Sequence, residues 1–275
     1  MAWWGWTLAI AALLFGGYLW MIAPRRYNRK DVEALAGRLY AHRGLYSQSM
    51  GVPENSMAAF RRAVDAGFGI ELDVQLTGDG KLIVHHDGNT ARVCGVDATI
   101  RNTAYADLPK LPDGSAIPVF EDVLAMVCGR VPLIVEIKHY GNPTENAART
   151  LNVLRGYSGP FCVESFHPLA VRTFRKTAPG IVRGQLAMGG PRNREEGSWF
   201  EYFILSSLLV NVLGRPHFVA YSCAHDANLS MWLMKHAYHP LLAGWTIRDQ
   251  ALLNRVRNTY QMPIFEGFIP DDPHR

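Results

Sequence analysis

The chain has 275 residues, 48% hydrophobic and 19% charged, a composition that supports a large folded core and excludes an intrinsically disordered protein. Its net charge is +4, but the Lys and Arg residues are scattered, which excludes an extended nucleic-acid groove. The four cysteines form no Cys-x-x-Cys pair, so the sequence indicates neither a zinc cluster nor a dense disulfide framework.

The N-terminal region is an uncharged apolar run, residues 3–23, and about 20 such residues are enough to cross a bilayer as a helix. A secretory signal would show a basic start, a shorter apolar core and a small-x-small cleavage site. We therefore predict an uncleaved transmembrane anchor with a basic flank over residues 1–30. The basic residues after the run predict a single-pass membrane protein whose C-terminal domain is cytoplasmic. They are Arg25, Arg26, Arg29 and Lys30.

Beyond residue 38 the chain alternates short β-rich runs with amphipathic runs, which is typical of a parallel sheet with crossover helices. The predicted strands are 39–42, 69–76, 82–86, 132–137, 161–166, 182–187, 218–221 and 241–247. The predicted helices are 55–66, 119–128, 145–155, 168–177, 226–237 and 249–259. About eight strands in roughly 240 residues predict an α/β protein, a (β/α)₈ TIM barrel over residues 38–275 preceded by the transmembrane helix.

Two of these strands carry charged residues spaced two positions apart. Glu71 and Asp73 are two residues apart and therefore point to the same face, and Glu136 and Lys138 repeat that spacing on a later strand. Carboxylates that face each other repel unless a cation lies between them, and Mg²⁺ or Ca²⁺ take oxygen ligands. A salt bridge that closes a barrel layer is the alternative. Both pairs lie at the strand ends where barrel active sites form, which favours a metal site.

Histidines end two of the predicted strands. His42 is the last residue of the first strand, and His85 and His86 are the last two residues of the third. Two imidazoles beside three carboxylates indicate a general acid and a general base that flank a metal-bound anion. The alternation along the strand does not choose between His85 and His86, because the strand ends there.

Five motifs, AHRG, PENS, ELDVQLTGDGKLIVHHD, VEIK and GWTI, occur in this order. Through them the chain resembles the glycerophosphodiester phosphodiesterase family from about residue 39 to its end. The resemblance implies a TIM barrel with a divalent cation, Mg²⁺ or Ca²⁺. Its expected ligands are Glu71, Asp73 and Glu136.

The resemblance also implies roles for five further residues. His42 and His86 are expected to exchange protons with the reacting oxygens. Arg43 and Lys138 are expected to contact the phosphate, and Trp245 is expected to line the glycerol side of the site.

Two departures from the family pattern concern the choice of substrate. Residues 88 to about 117 correspond to the family's small insertion, and the stretch that leads into it, residues 86–95, reads HDGNTARVCG where HDxTLxRTTG is usual. Arg248 stands where the family often has Asn. The stretch keeps His86, and the residues that differ from the family pattern are not among the expected metal ligands, acid or base.

An apolar segment, residues 197–218, has uninterrupted stretches too short to span a bilayer. It is either a barrel helix that packs its apolar face inward or an interfacial helix beside the anchor that gives acyl chains a path to the site.

The predicted function is metal-dependent hydrolysis of glycerophosphodiesters or lysophospholipids to a glycerol phosphate and an alcohol. A catalytically inactive, membrane-anchored lipid-binding barrel is the alternative, because the fold alone does not separate the two. The predicted partners are the substrate and membrane lipid, without nucleic acid.

Overall fold

The computed structural model describes residues 3–189 and 198–271. Residues 1–2 of the predicted anchor, Gly197 of the apolar segment and residues 272–275 of the predicted barrel domain lie outside the described residues. The described strands are β1 Tyr40–His42, β2 Gly69–Leu76, β3 Leu82–Val84, β4 Leu133–Ile137, β5 Phe161–Ser165, β6 Arg183–Ala187, β7 Phe218–Ser222, β8 Leu241–Ile247 and β9 Met262–Phe265. The described α-helices are α1 Trp3–Ile22, α2 Arg29–Val32, α3 Met57–Asp65, α4 Ala91–Cys94, α5 Phe120–Val127, α6 Pro143–Leu154, α7 Pro168–Thr177, α8 Trp199–Ser206, α9 Asn211–Gly214, α10 Leu229–Leu233 and α11 Gln250–Val256.

Eight of the described strands close into a parallel barrel in the order β1, β2, β4, β5, β6, β7, β8 and β9, and β9 pairs with β1. The predicted (β/α)₈ barrel is therefore confirmed. All residues of β2 and β4 are buried, as expected for parallel strands whose outer face is covered by helices. Charged side chains on such strands lie in the protein interior and require partners there.

The prediction that residues 82–86 form a barrel strand is wrong. Strand β3 covers only residues 82–84 and pairs antiparallel with β2. Five residues separate the two strands, whereas a parallel crossover needs about a dozen, so the short connection forces a hairpin. The eighth barrel strand is β9, which the prediction missed because Pro263 is unusual inside a strand.

Short polar residues begin several of the outer helices. The Ser56 hydroxyl accepts a hydrogen bond from the Ala59 N–H at the start of α3, and Asn142 and Asp249 cap α6 and α11 in the same way. Helices α3, α5, α6, α7 and α11 begin and end within three residues of the predicted ranges. The predicted helix 226–237 consists of α10 and a π-helix, Met234–Tyr238.

The predicted insertion, residues 88–117, contains α4 and two 3₁₀ turns. Ile100, Leu111 and Ile117 form a small apolar cluster with Ile83 of β3. The insertion therefore packs on the hairpin of β2 and β3, and its status as a separate unit stays a prediction.

Helix α1 is long and apolar enough to cross a membrane, a property that signal sequences share. Its segment Trp4–Ile22 has a mean hydropathy of 1.6 and is only 6% buried. The buried part is the C-terminal turn, where Ile22 is fully enclosed. The Tyr238 hydroxyl donates to the Leu19 carbonyl at 2.7 Å, and Asn211 Nδ2 donates to the Ile22 carbonyl at 2.9 Å. The bond from Asn211 satisfies the last carbonyl of the helix, and the bond from Tyr238 adds to the one that Leu19 accepts from the Ala23 N–H at 3.1 Å.

The described part of the apolar segment, residues 198–218, contains α8 and α9 and leads into β7. Helix α8 has no buried residue, and Trp199, Phe200 and Phe203 are exposed. Leu208, two residues after the end of the helix, is fully buried against α1 and the barrel. The segment therefore packs inward after α8 and presents apolar side chains to the outside along α8.

Candidate active site

The His-Arg-Gly triplet forms the turn at the carboxyl end of β1. Arg43 adopts a left-handed backbone conformation with φ 56°, which brings its N–H within 3.0 Å of Glu71 Oε2. Gly44 follows with φ 81°, and a Cβ there would lie 2.9 Å from the Cβ of Ala59 in α3. Only glycine fits this position, because both the backbone angle and the close approach of α3 exclude a side chain.

Three buried carboxylates from two neighbouring strands meet at the centre of the barrel mouth. Glu71 and Asp73 lie on β2, and Glu136 on β4 is the register partner of Asp73. One carboxylate oxygen from each lies within 4.8 Å of the other two. The structure thus brings together the three residues that the sequence predicts as metal ligands.

Lys138 lies among these carboxylates. Its Nζ is 2.9 Å from Asp73 Oδ1 and 2.7 Å from Glu136 Oε1. Burial on its own raises the pKa of Asp73, but the surrounding positive charges, first that of Lys138, outweigh burial and hold this pKa well below its ordinary value. The structure therefore contains the salt bridge considered as the alternative, and the contact of Lys138 with phosphate stays a prediction.

Lys138 does not compensate all of the negative charge. Burial, followed by repulsion from Asp73 and Glu136, raises the pKa of Glu71 well above its ordinary value. Glu164 of β5 is the register partner of Glu136, and its Oε2 is buried without a hydrogen-bond partner in the described part of the chain. This excess of negative charge and the all-oxygen donor set fit a hard divalent cation such as Mg²⁺ or Ca²⁺.

Two histidines, each held by a carboxylate, line the same cavity of about 390 Å³. His42 Nδ1 lies 2.5 Å from Glu266 Oε2, and His86 Nδ1 lies 2.6 Å from Asp87 Oδ1. A carboxylate on Nδ1 fixes the ring orientation and favours the tautomer with the proton on Nδ1, which leaves Nε2 for proton exchange.

His85 is separated from this cavity. It is 2% exposed, and its Nδ1 lies 3.1 Å from the Asp87 carbonyl oxygen. Burial lowers the pKa of His85 and favours the neutral ring. The geometry thus agrees with the choice of His86 over His85, whereas the catalytic roles themselves stay predictions.

Arg43, a predicted phosphate contact, belongs to a charged network at the cavity entrance. Its Nη1 donates to Glu54 Oε1 at 2.7 Å. Arg92 of α4 donates to both oxygens of Glu54 at 2.9 and 2.6 Å, and its Nε donates to Asp87 at 2.7 Å. The insertion is therefore connected through Arg92 to Arg43 and to the carboxylate that holds His86.

Trp245, predicted to line the glycerol side, lies on the cavity wall. Its ring meets the edge of Phe166 at a centroid distance of 5.8 Å. Its Nε1 is buried without a hydrogen-bond partner among the described residues. The ring therefore offers an apolar wall to the cavity.

The sequence interpretation missed three carboxylates of the site: Glu54, Glu164 and Glu266. Glu54 lies in the PENS motif, and Glu164 is the single charged residue of strand β5, so both had a local signal. Glu266 follows β9, which was itself not predicted, and had none.

The fold and the site define a TIM barrel with an acidic centre and two carboxylate-held histidines at its mouth. The chain belongs to the glycerophosphoryl diester phosphodiesterase family, whose sequence pattern matches residues 42–274.

Curated relatives match parts of the chain. A glycerophosphodiester phosphodiesterase from Caldanaerobacter subterraneus is 32% identical over 165 residues, which cover 54% of this chain and 66% of the relative. A lysophospholipase D from Rattus norvegicus is 31% identical over 101 residues, which cover 36% of this chain and 31% of the relative. The chain thus spans less than two thirds of either relative.

Solved structures share the fold over most of the chain. A phosphodiesterase from Oleispira antarctica in complex with the product sn-glycerol-3-phosphate has a TM-score of 0.68 and 21% identity and covers 85% of this chain and 94% of its own. A glycerophosphodiester phosphodiesterase from Thermotoga maritima has a TM-score of 0.63 and 24% identity, with coverage of 82% and 93%. At this identity the likeness shows the barrel fold.

We expect Glu164→Gln to stabilise the metal-free protein at neutral pH. Burial and the neighbouring carboxylates raise the folded-state pKa of Glu164 well above its unfolded value, so keeping it ionised in the fold costs free energy that grows as the pH rises from the unfolded towards the folded pKa. Glutamine removes this cost, and the gain in unfolding free energy should be larger at about pH 8 than at about pH 5. Urea denaturation with a chelator present measures it.

The matched control is Glu145→Gln, because Glu145 is half-exposed and pairs with Arg101. It should show no such pH-dependent gain. A Glu164→Gln gain that is equal at both pH values would contradict the prediction.

Proposed function

We propose that this protein is a metal-dependent phosphodiesterase that hydrolyses glycerophosphodiesters to a glycerol phosphate and an alcohol. The observation that carries the proposal is the convergence of three carboxylates within 4.8 Å beside two histidines that line the same cavity. A catalytically inactive lipid-binding barrel has no use for buried charges and histidines placed in this way, so the geometry favours the enzyme.

Glu71, Asp73 and Glu136 would hold the divalent cation. When bound, the cation supplies positive charge that polarises the phosphoryl oxygens and offsets the negative charge of the diester. Arg43 and Lys138 add fixed positive charge beside the same carboxylates, at 3.6 Å and 2.9 Å from Asp73. Charges that are already in place stabilise the phosphoryl group without reorganisation.

The two histidines provide the proton transfers. One neutral imidazole removes the proton from the attacking hydroxyl as its oxygen forms a bond to phosphorus. The other imidazole, in its protonated form, donates a proton to the leaving alcohol oxygen as the second P–O bond breaks. Glu266 and Asp87 hold His42 and His86 in position for these steps. Attack by water and attack by the neighbouring glycerol hydroxyl, which gives a cyclic phosphate first, require the same two transfers.

Relatives support the substrate class. Those described above carry the names glycerophosphodiester phosphodiesterase and lysophospholipase D, and the Oleispira structure contains sn-glycerol-3-phosphate as product. The common element is a glycerol phosphate esterified to an alcohol. Trp245, whose ring forms part of the cavity wall, would contact the glycerol part.

We expect Glu71→Gln to abolish cation binding and to lower kcat/KM on glycerophosphocholine by about 10³-fold or more, since the charge supplied to the phosphoryl group is worth several kcal/mol. The fold should persist, because the exchange removes a buried carboxylate whose ionisation the fold disfavours. Calorimetric titrations with Mg²⁺ and with Ca²⁺ measure binding and identify the preferred ion. Glu145→Gln is the control, and retained, chelator-sensitive turnover in Glu71→Gln would refute the ligand assignment.

We expect His42→Ala and His86→Ala each to lower kcat by about 10²- to 10⁴-fold, the usual contribution of one proton transfer. His85→Ala should have a much smaller effect, because this ring does not line the cavity. Steady-state kinetics on protein with a verified folding transition measures all three. A larger loss for His85→Ala than for His86→Ala would reverse the assignment of the pair.

We further propose that residues 1–30 anchor a barrel domain, residues 38–275, to the membrane, with residues 88–117 as an insertion of that domain. Helix α1 ends at Ile22, and four exposed basic residues follow it. They are Arg25, Arg26, Arg29 and Lys30. Since basic residues next to a span remain on the cytoplasmic side, the proposal places the N-terminus outside and the barrel in the cytoplasm.

We expect protease to cleave the barrel in inverted membrane vesicles and not in right-side-out vesicles, because only the former expose the cytoplasmic face. Mass analysis of the purified chain should find α1 still attached. Exchange of the four basic residues for Asn, with two Lys added before Trp3, should shift part of the population to the opposite orientation. Cleavage of the wild-type barrel from the outer face would contradict the topology, and loss of α1 would identify a signal sequence.

A further inference from the structure

The surface beside α1 carries a cluster of exposed apolar side chains, named here the aromatic face. It comprises Trp199, Phe200 and Phe203 of α8 and Leu229 and Trp232 of α10. Trp199 and Phe200 are 67% and 63% exposed, and Leu229 and Trp232 are 55% and 56% exposed. Surface helices normally turn polar side chains outward, so a cluster of this kind indicates contact with another apolar phase.

Helices α8 and α10 contribute to one continuous surface. The Trp199 and Phe203 rings stack with a centroid distance of 5.6 Å and an interplanar angle of 11°. Phe203 and Leu229 line the same cleft, together with Tyr18 of α1. Trp232 lies three residues after Leu229 and therefore on the same side of α10. The aromatic face is thus continuous with the apolar surface of α1.

The direction of α1 relative to the barrel is fixed by bonds at its C-terminal end. Arg215 donates to the carbonyls of Trp20 and Ala23 at 2.6 and 3.0 Å, and its guanidinium lies 4.6 Å from the Trp20 ring centroid. The Arg25 N–H donates to the Pro216 carbonyl at 2.8 Å. These contacts add to those of Leu19 and Ile22 described above, and they hold the helix against the barrel.

This attachment sets the depth of the aromatic face in a bilayer. The segment Trp4–Ile22 has 19 residues. At 1.5 Å per residue it measures about 28 Å, close to the roughly 30 Å of a hydrocarbon core. Tyr18 lies about 6 Å before the end of that span, so side chains that share its cleft lie near the boundary between hydrocarbon and headgroups. Trp side chains, such as those of Trp199 and Trp232, prefer this depth.

The barrel mouth adjoins the same cleft. Gly189, just after β6, and His225, just after β7, line the cleft beside the aromatic face. Leu186 of β6 and Trp245 of β8 line the active-site cavity. The carboxyl ends of β6 and β7 therefore lie between the active-site cavity and the cleft beside the aromatic face.

We propose that the aromatic face rests on the leaflet into which α1 inserts and presents the active-site mouth to phosphodiesters that stay in that leaflet, such as lysophospholipids. The inference rests on the proposed phosphodiesterase function. A bilayer is the occupant that fits, because the face is continuous with an apolar helix of bilayer length. Exposed Arg25 and Arg26 lie just beyond the end of that helix, where anionic headgroups would meet them.

The kinetic test uses the full chain in phosphatidylcholine vesicles that contain lysophosphatidylcholine, with soluble glycerophosphocholine assayed in the same vesicles. In Trp199→Gln/Phe200→Gln and in Leu229→Gln/Trp232→Gln, kcat/KM on the lysolipid should fall by about tenfold or more, while turnover of the soluble diester stays unchanged. The control is Ile269→Gln, whose side chain is 63% exposed on the loop after β9. It should leave the ratio of the two activities unaltered.

The second test does not depend on activity. In a Cys128→Ser background, an environment-sensitive fluorophore attached to Phe200→Cys should emit at shorter wavelength in vesicles and be quenched by lipids brominated near the carbonyl. The same fluorophore on Ile269→Cys should remain in a water-like environment. If the wild type cleaves neither substrate, the proposed function is wrong. The emission of the fluorophore at position 200 still shows whether the aromatic face contacts the bilayer.

Three results would overturn the docking inference. The first is an unchanged activity ratio in both double variants. The second is a water-like fluorophore at position 200 in vesicles. The third is a fluorophore that becomes buried only when a further protein is added, which would assign the aromatic face to a protein partner.

Discussion

The active site depends on a buried excess of negative charge at the carboxyl ends of three adjacent strands. The carboxylates belong to Glu71, Asp73, Glu136 and Glu164. An uncompensated buried charge costs several kcal/mol of folding free energy, so the groups around these four carboxylates are held in positions where they can donate hydrogen bonds or supply positive charge. Lys138 lies between two of them, Asn55 donates to Asp73 at 2.8 Å, and the left-handed turn at Arg43 directs its N–H to Glu71. The same excess that fits a cation also determines the conformation of the first loop.

The predictable part of the site has a signal within one strand. Glu71 and Asp73 share a face because strand geometry repeats every two residues, and no tertiary knowledge is needed to see this. The eighth barrel strand, β9, was not predictable in this way. Pro263 makes its sequence unlike that of a strand, and the strand is recognised only from its pairing with β1, which closes the barrel. Glu266, which follows that strand, contacts His42 across 224 residues of sequence. Such a contact exists only in the folded barrel, so a local pattern does not contain it.

The attachment of α1 depends on a second buried charge, which lies at the amino end of β6. Arg183 of β6 is fully buried and donates to the carbonyls of Gly214 and Arg215 at 3.0 and 2.9 Å. Burial lowers the pKa of Arg183 to about 10, yet the group stays charged at neutral pH. The Arg183 guanidinium thereby fixes the turn after α9. Arg215 in this turn donates hydrogen bonds to the carbonyls at the end of α1. A barrel strand thus determines where the helix leaves the protein, and the orientation of α1 is a property of the fold.

The departure from the family pattern at Arg248 reaches further than the choice of substrate. Its guanidinium donates to Glu266 Oε1 at 2.9 and 2.6 Å, while Glu266 Oε2 holds His42. Burial raises the pKa of Glu266, but the bonds from His42 and Arg248 outweigh burial and lower it to about 2. An Asn at position 248 would supply no charge, so this carboxylate would be held ionised less strongly. Arg248 therefore lies one contact from His42, one of the two histidines proposed to transfer protons. A substitution of Arg248 would reach His42 through the carboxylate that orients its ring.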